Sequence, residues 1–183
     1  VKGLRVDGHD FIDSAIEAGC RMIVASKFVE TPEHVGLIVV RNSEKAAAKF
    51  SEYIYDFPHK NYYMIGVTGT NGKTTVSTMI HHLSRALGKN SAYLGTNGFL
   101  INETRQESLN TTPETTRLHK RLVDAREANS DVFTMEVSSH ALQIGRSLGI
   151  EYDITIFTNL TQDHLDFHKT MDAYGFSKGL LFS

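Results

Sequence analysis

The sequence predicts an α/β protein: a mostly parallel sheet flanked by helices, preceded by part of a smaller α/β unit. Three observations carry this. From residue 62 onward short apolar strands alternate with helical stretches, which is the pattern of a parallel sheet with both faces covered. One of these strands runs straight into a glycine-rich turn that ends in Lys-Thr and opens a helix. Polar clusters begin where three apolar strands end, and such sheets carry their functional groups beyond the carboxyl ends of their strands.

Taken in order, residues 10–18 form a helix that stops at Gly19, where glycine supplies the turn after the last helical residue. Short buried strands follow at 22–25 and 37–40. Residues 43–56 read as an amphipathic helix with Ser43 as its cap and Ala47, Phe50 and Ile54 on one face. Two strands make a weak sheet alone, so residues 1–57 are expected to be part of a larger unit that begins upstream. The stretch 58–61, with Pro58 at its head, reads as a linker. The second unit covers 62–183. Its first strand starts at Tyr62, its first helix spans 76–87 and stops at Gly88, and a second strand lies at 91–94. Residues 97–109 are polar and form a hairpin or loop. Thr111-Thr112-Pro113-Glu114 has the form of a capping box, with a helix from there to about residue 128. Strands at 131–137 and 152–158 flank a short helix at 138–146.

Composition narrows the class. With 183 residues, 40% apolar, 22% charged and a net charge of −2, the chain is a globular protein of one or two domains. No apolar run approaches the roughly 18–20 residues of a membrane-spanning helix. The single cysteine, Cys20, excludes a disulfide framework and suits a reducing cytoplasm. Near-neutral charge without a basic run argues against nucleic acid as a partner. The 9 histidines are read as making no H-x-x-x-H or Cys/His cluster of zinc type.

The glycine turn, Gly-Thr-Asn-Gly-Lys-Thr-Thr at 69–75, is the strongest single signal. Glycines allow the backbone close to an anion, and the helix N-terminus points its free N–H groups there. Lys73 is placed to neutralise β- and γ-phosphate charge, and the Thr74 hydroxyl to hold Mg²⁺. The loop departs from the standard spacing, which wants glycine where Val67 stands. A nucleoside triphosphate with Mg²⁺ is the expected ligand, bound by Gly69, Thr70, Asn71, Gly72, Lys73, Thr74 and Thr75.

Two further clusters share the rim. Glu136-Val137-Ser138-Ser139-His140 ends one strand, and residues 158–166, with Asp163 and His164, follow another. Glu136 and His164 suit a magnesium ion beside a triphosphate. Read singly, Glu136 is a strand-end carboxylate for a surface cation and His164 a solvent-facing residue in a polar turn.

Four ordered motifs bring the chain close to a known family. They are the loop at 69–75, Asn-Thr-Thr-Pro-Glu at 110–114, Glu-Val-Ser-Ser-His-Ala-Leu at 136–142 and Asn-Leu-Thr-Gln-Asp-His-Leu-Asp at 159–166. Together they resemble the Mur ligases, and among them the MurE type. Residues 2–12 resemble the middle of that family's uridine-binding first domain, and the unusual glycine spacing is the family's own. The resemblance implies an ATP-dependent amide ligase of the bacterial cytoplasm, monomeric, with UDP-MurNAc-L-Ala-D-Glu and a diamino acid (L-lysine or meso-diaminopimelate) as substrates. It also implies a truncated central domain, and a third, acceptor-binding domain absent from this sequence. By resemblance, Asn110, Thr111, Thr112, Ser138 and Arg146 hold the nucleotide-sugar peptide. Thr74, Glu136 and His164 bind magnesium, and Lys178 is a carbamylated lysine that completes the ligand set. Lys73, His164 and Lys178 are thus the catalytic candidates.

Ser177 and Gly179 around that lysine, and Ile144 where some relatives have Gln, depart from the family pattern. Without the resemblance Lys178 is an ordinary helix lysine, Thr111 and Thr112 are caps, and Arg146 is open between a structural ion pair and bidentate recognition of a carboxylate or phosphate. Two rivals stay open: a related ligase of the folylpolyglutamate or cyanophycin type, and a non-catalytic nucleotide-binding module.

Overall fold

The computed structural model describes residues 7–106 and 110–183. The resemblance at residues 2–6 and the end of the expected hairpin at 107–109 lie outside them. Two sheets are present among the described residues. A 3-10 turn at Gly8–Phe11 leads into α1 (Ile12–Glu17), and β1 (Met22–Ala25) and β2 (Gly36–Val39) pair in parallel. The helix expected over 10–18 is therefore split, and Gly19 takes φ +97 after its end as the stop signal required. The core of this unit is small, with Ile23, Ala25 and Val35 buried and Ile12, Ile16 and Leu37 packed around them.

Helix α2 (Ser43–Ile54) is capped by Asn42, whose side chain accepts from Lys45 N at 2.7 Å, and not by Ser43. The expected apolar face is also corrected. Phe50 and Ile54 are exposed, while Ala48, Ser51 and Glu52 face inward against the second unit. Periodicity at Phe50 and Ile54 tracked side-chain hydrophobicity, but docking uses the small residues one position on. The linker is a folded turn, Pro58–Asn61, with Pro58 and His59 buried. It is entered through two left-handed residues, Asp56 (φ 54) and Phe57 (φ 43). Arg126 donates to the carbonyls of Tyr55 and Asp56 at 3.2 and 3.3 Å, which ties this bend to the second unit.

The second unit holds β3 (Tyr63–Thr68), α3 (Lys73–Ala86), β4 (Ser91–Gly95), β5 (Gly98–Ile101) and β6 (Thr104–Gln106). After these come α4 (Thr115–Glu127), β7 (Val132–Glu136), α5 (Ser139–Gln143), β8 (Ile154–Phe157), α6 (Leu165–His168) and α7 (Met171–Gly179). The sheet order is β6-β5-β4-β7-β3-β8, with β4, β7, β3 and β8 parallel and β5 and β6 an antiparallel hairpin. Alternation along β7 sorts the two faces. Phe133, Met135 and Val137 pack with Leu118, Leu122 and Ala125 of α4, while Thr134 and Glu136 point to the opposite face, where α3 lies. On that face His81 of α3 meets Ser91 Oγ at 2.9 Å and Asn102 O at 3.1 Å.

Two helix starts differ from the sequence reading. Helix α3 begins at Lys73, three residues early, because Gly72 (φ 85) turns the chain directly into it. Helix α4 begins at Thr115 with Glu114 as its cap residue, so Thr111 caps nothing. The capping-box pattern was satisfied by residues whose hydroxyls are used elsewhere: Thr111 Oγ1 lies 3.1 Å from Thr96 Oγ1, and Thr112 Oγ1 donates to Glu136 O at 2.9 Å.

Candidate functional site

The loop between β3 and α3 rests on the chain that follows β8. Thr70 N donates to Asn159 O at 2.9 Å, Asn71 N to Asn159 Oδ1 at 3.0 Å, and Thr158 Oγ1 to Asn71 O at 2.6 Å. Gly69 has φ 143, and a Cβ there would lie 1.9 Å from Thr158 Oγ1, so only glycine fits this close crossing. The two rims predicted to adjoin are thus joined by hydrogen bonds.

Two amines converge on one carbonyl. Lys73 Nζ donates to Gly69 O and Thr70 O, both at 2.9 Å, and Lys178 Nζ donates to the same Gly69 O at 2.6 Å. Lys178 is fully enclosed, with its amine 4.3 Å from the Tyr174 ring centre. Burial, and then the neighbouring Lys73 charge, pull its pKa down to about 8. Burial lowers that of Lys73 as well. Tyr174 also reaches the loop, its hydroxyl 3.2 Å from Thr70 Oγ1.

Glu136 has no exposed surface and no lysine or arginine at ion-pair distance among the described residues. Its charge is met by neutral donors. Oε1 accepts from Tyr93 OH at 2.5 Å and Thr96 N at 2.9 Å; Oε2 accepts from Thr74 Oγ1 at 2.9 Å and Thr96 Oγ1 at 3.2 Å. Burial, followed by this carboxylate, pushes the Tyr93 phenol up to about 12. A buried carboxylate and a hydroxyl side by side, without a counter-cation, fit a hard divalent cation such as Mg²⁺.

The remaining predicted residues divide. His164 sits in a left-handed conformation (φ 51), with its ring against His140 (4.8 Å), 6.1 Å from Tyr174, and 3.5 Å from Asp163 Oδ2. Its described contacts lead toward Lys178 through Tyr174 and not to Glu136. Thr112 is buried and committed to backbone: besides its bond to Glu136 O it accepts from Ser138 N at 3.2 Å. Ser138 caps α5, its Oγ accepting from Ala141 N at 3.2 Å. Arg146 Nη1 donates to Thr112 O at 2.9 Å, so this cation braces the 110–114 segment. Asn110 is exposed at the start of that segment.

Sequence reasoning missed Tyr93, Thr96, Tyr174 and His168. Tyr93 and Thr96 carry no motif; only the polar turn after an apolar strand marked the place. His164 and His168 do form an H-x-x-x-H pair, so the reading that the histidines make none is corrected, and that spacing was the signal for His168. Its ring nitrogens lie 3.0 Å from Ser139 Oγ and 3.3 Å from Ser177 Oγ, which pins α7 to α5.

A glycine loop at the carboxyl end of an inner parallel strand, a Lys-Thr helix start and a buried carboxylate facing that threonine define a phosphate-loop α/β domain. Residues 67–183 match the family model of the Mur ligase middle domain, and the chain belongs to the Mur ligase family. A Staphylococcus epidermidis protein named UDP-N-acetylmuramoyl-L-alanyl-D-glutamate--L-lysine ligase is 50% identical over 182 residues, which is 100% of this chain and 37% of that protein. This chain therefore spans little more than a third of the length of the curated relatives it matches. A solved structure described as a UDP-N-acetylmuramoyl-L-alanyl-D-glutamate, 2,6-diaminopimelate ligase superposes with a TM-score of 0.81 at 28% identity, covering 94% of this chain and 35% of the other. The MurF ligase of Thermotoga maritima, solved with ADP, shares the fold at 22% identity and a TM-score of 0.60, over 99% of this chain and 38% of its own.

Proposed function

We propose that this chain is the nucleotide-binding part of an ATP-dependent amide ligase of the bacterial cytoplasm. The enzyme joins a diamino acid to UDP-N-acetylmuramoyl-L-alanyl-D-glutamate, acts as a monomer, and reads the diamino acid through a domain outside these 183 residues. L-Lysine is the acceptor favoured by the name of the relative at 50% identity. The observation that carries the reading is the convergence of Lys73 and Lys178 on the Gly69 carbonyl beside the Thr74–Glu136 pair.

In the proposed reaction the D-glutamate side-chain carboxylate attacks the γ-phosphorus of ATP. The bond to the β,γ-bridging oxygen breaks, leaving an acyl phosphate and ADP. The amine of the diamino acid then adds to the acyl carbon, loses a proton, and expels phosphate. Lys73 accompanies the charge that develops on the transferring phosphoryl group, which is electrostatic work. Thr74 and Glu136 would hold Mg²⁺, which when bound neutralises phosphate charge. Asn110, Thr111, Ser138 and Arg146 would hold the nucleotide-sugar peptide. Arg146 would orient it, and Thr112 would keep their backbone in place. His164 would act on the Lys178 side of the loop.

Lys178 supports a further element of this reading. With its pKa near 8, a fraction of this amine is neutral close to neutral pH, and the neutral amine is the form that adds CO₂ to give a carbamate. That oxygen anion would serve as a magnesium ligand with His164. The test is phosphate release by the full-length protein. Release that requires ATP, the nucleotide-sugar dipeptide and a diamino acid together is expected. ADP binding without any release would make the chain a nucleotide-binding module instead.

A further inference from the structure

The four donors around Glu136 are not equivalent. Those on Oε1, the Tyr93 hydroxyl and the Thr96 amide, come from β4 and the turn after it. The amide has no lone pair to offer a cation, and Tyr93 is locked in a fully buried ring whose oxygen also faces Asn97 N at 3.4 Å. Gly95 leaves no slack: a Cβ there would lie 2.2 Å from Glu136 Oε1 and 2.3 Å from the Tyr93 hydroxyl. The two donors on Oε2 are the hydroxyls of Thr74 and Thr96. A hydroxyl can turn its proton away and present a lone pair, so this oxygen and its neighbours can re-form around a cation.

We infer that Tyr93 is a cation-selectivity residue: it fixes Oε1 of Glu136 so that the carboxylate can offer a cation Oε2 alone. The inference rests on Glu136 being a metal ligand, as proposed above. A single carboxylate oxygen suits Mg²⁺, which is small, keeps several waters and uses few protein ligands. Ca²⁺ takes more oxygens and readily uses both of one carboxylate. Tyr93 thus acts through Glu136, as a positioning residue, by denying the larger ion its second oxygen.

The test is ADP binding to the full-length protein by equilibrium dialysis, with no divalent cation, with Mg²⁺ and with Ca²⁺. Tyr93→Phe keeps the ring and removes the hydroxyl. It is expected to leave cation-free ADP affinity near wild type and to lower the ratio of Mg²⁺ to Ca²⁺ enhancement by about three- to tenfold, the scale of one hydrogen bond. Gly95→Ala displaces the same oxygen from the other side and is expected to move the ratio in the same direction; it decides the question if Tyr93→Phe does not fold. A wild-type ratio in the folded variants overturns the role of Tyr93, as does a loss of cation-free affinity equal to the loss with Mg²⁺, which marks a purely structural residue. Wild-type protein whose ADP affinity ignores Mg²⁺ overturns the reading of Glu136 itself.

Discussion

The two units are built from the same ingredients, parallel strands and helices, yet they are held together differently. The second unit encloses Met64, Leu94, Phe99, Leu118, Leu122, Phe133 and Met135 without solvent contact. The core of the first is limited to Ile23, Ala25 and Val35, and Phe11, Phe28, Tyr53 and Ile54 stay exposed. A two-stranded sheet cannot bury two faces, so the first unit depends on its neighbour. The polar inward face of α2 and the Arg126 bonds to the bend at 55–56 are how that dependence is expressed. The larger core of the second unit has a use: a rigid sheet can hold on its rim a buried carboxylate bonded to neutral donors.

Substitutions can break this contrast or sharpen it. Phe133→Ala empties the middle of the larger core and is expected to cost about 3–5 kcal/mol, lowering the denaturant midpoint of the whole chain. An effect confined to one face of the sheet, read by hydrogen exchange, would show that the core is not a single cooperative body. Lys73→Ala is expected to weaken ADP binding by at least about tenfold while leaving the denaturant midpoint nearly unchanged, because its bonds are to loop carbonyls and not to the core. Near wild-type binding would remove Lys73 from the site.

Acid separates the units by a third route. Burial lowers the pKa of His81 and His119, both in the second unit, below the usual 6.5. Their neutral forms are favoured in the native state, so the stability they contribute is present above about pH 6.5 and is lost as pH falls through the lowered native values. Midpoints measured from pH 7 to pH 5 should fall, and His119→Leu should flatten part of the slope. The smallest effect is expected at the cap of α2. Asn42→Ala should cost about 1 kcal/mol and loosen the first unit alone, whereas Ser43→Ala should cost less. Equal costs would mean that both residues share the cap.

The same contrast explains what was legible in the sequence. In the second unit strand order along the chain, the loop and the rim could be read, because strands buried on both faces give unbroken apolar runs and a phosphate loop needs glycine and lysine in fixed places. Helix starts were less legible. Asn42 and Ser43 are both good cap residues, and Thr111 with Glu114 imitates a cap whose hydroxyl is in fact turned to Thr96. Of the partners of Glu136, Thr74 was legible through the loop, but Tyr93 and Thr96 were not, since they lie some 40 positions away and carry no spacing signal. The first unit misled most at α2, where exposed Phe50 and Ile54 gave the stronger apolar pattern and the docking face was made of alanine, serine and glutamate.

The consecutive left-handed residues at Asp56 and Phe57 give the joint between the units a rest angle. Each such residue without glycine's freedom costs on the order of 1 kcal/mol, and Arg126 holds the bent chain by its carbonyls. The joint therefore behaves as a loaded spring with a catch and not as a free tether. Releasing the catch should loosen α2 from α4 and destabilise the first unit while the second stays folded, and glycine at position 57 should relax the spring without cutting it.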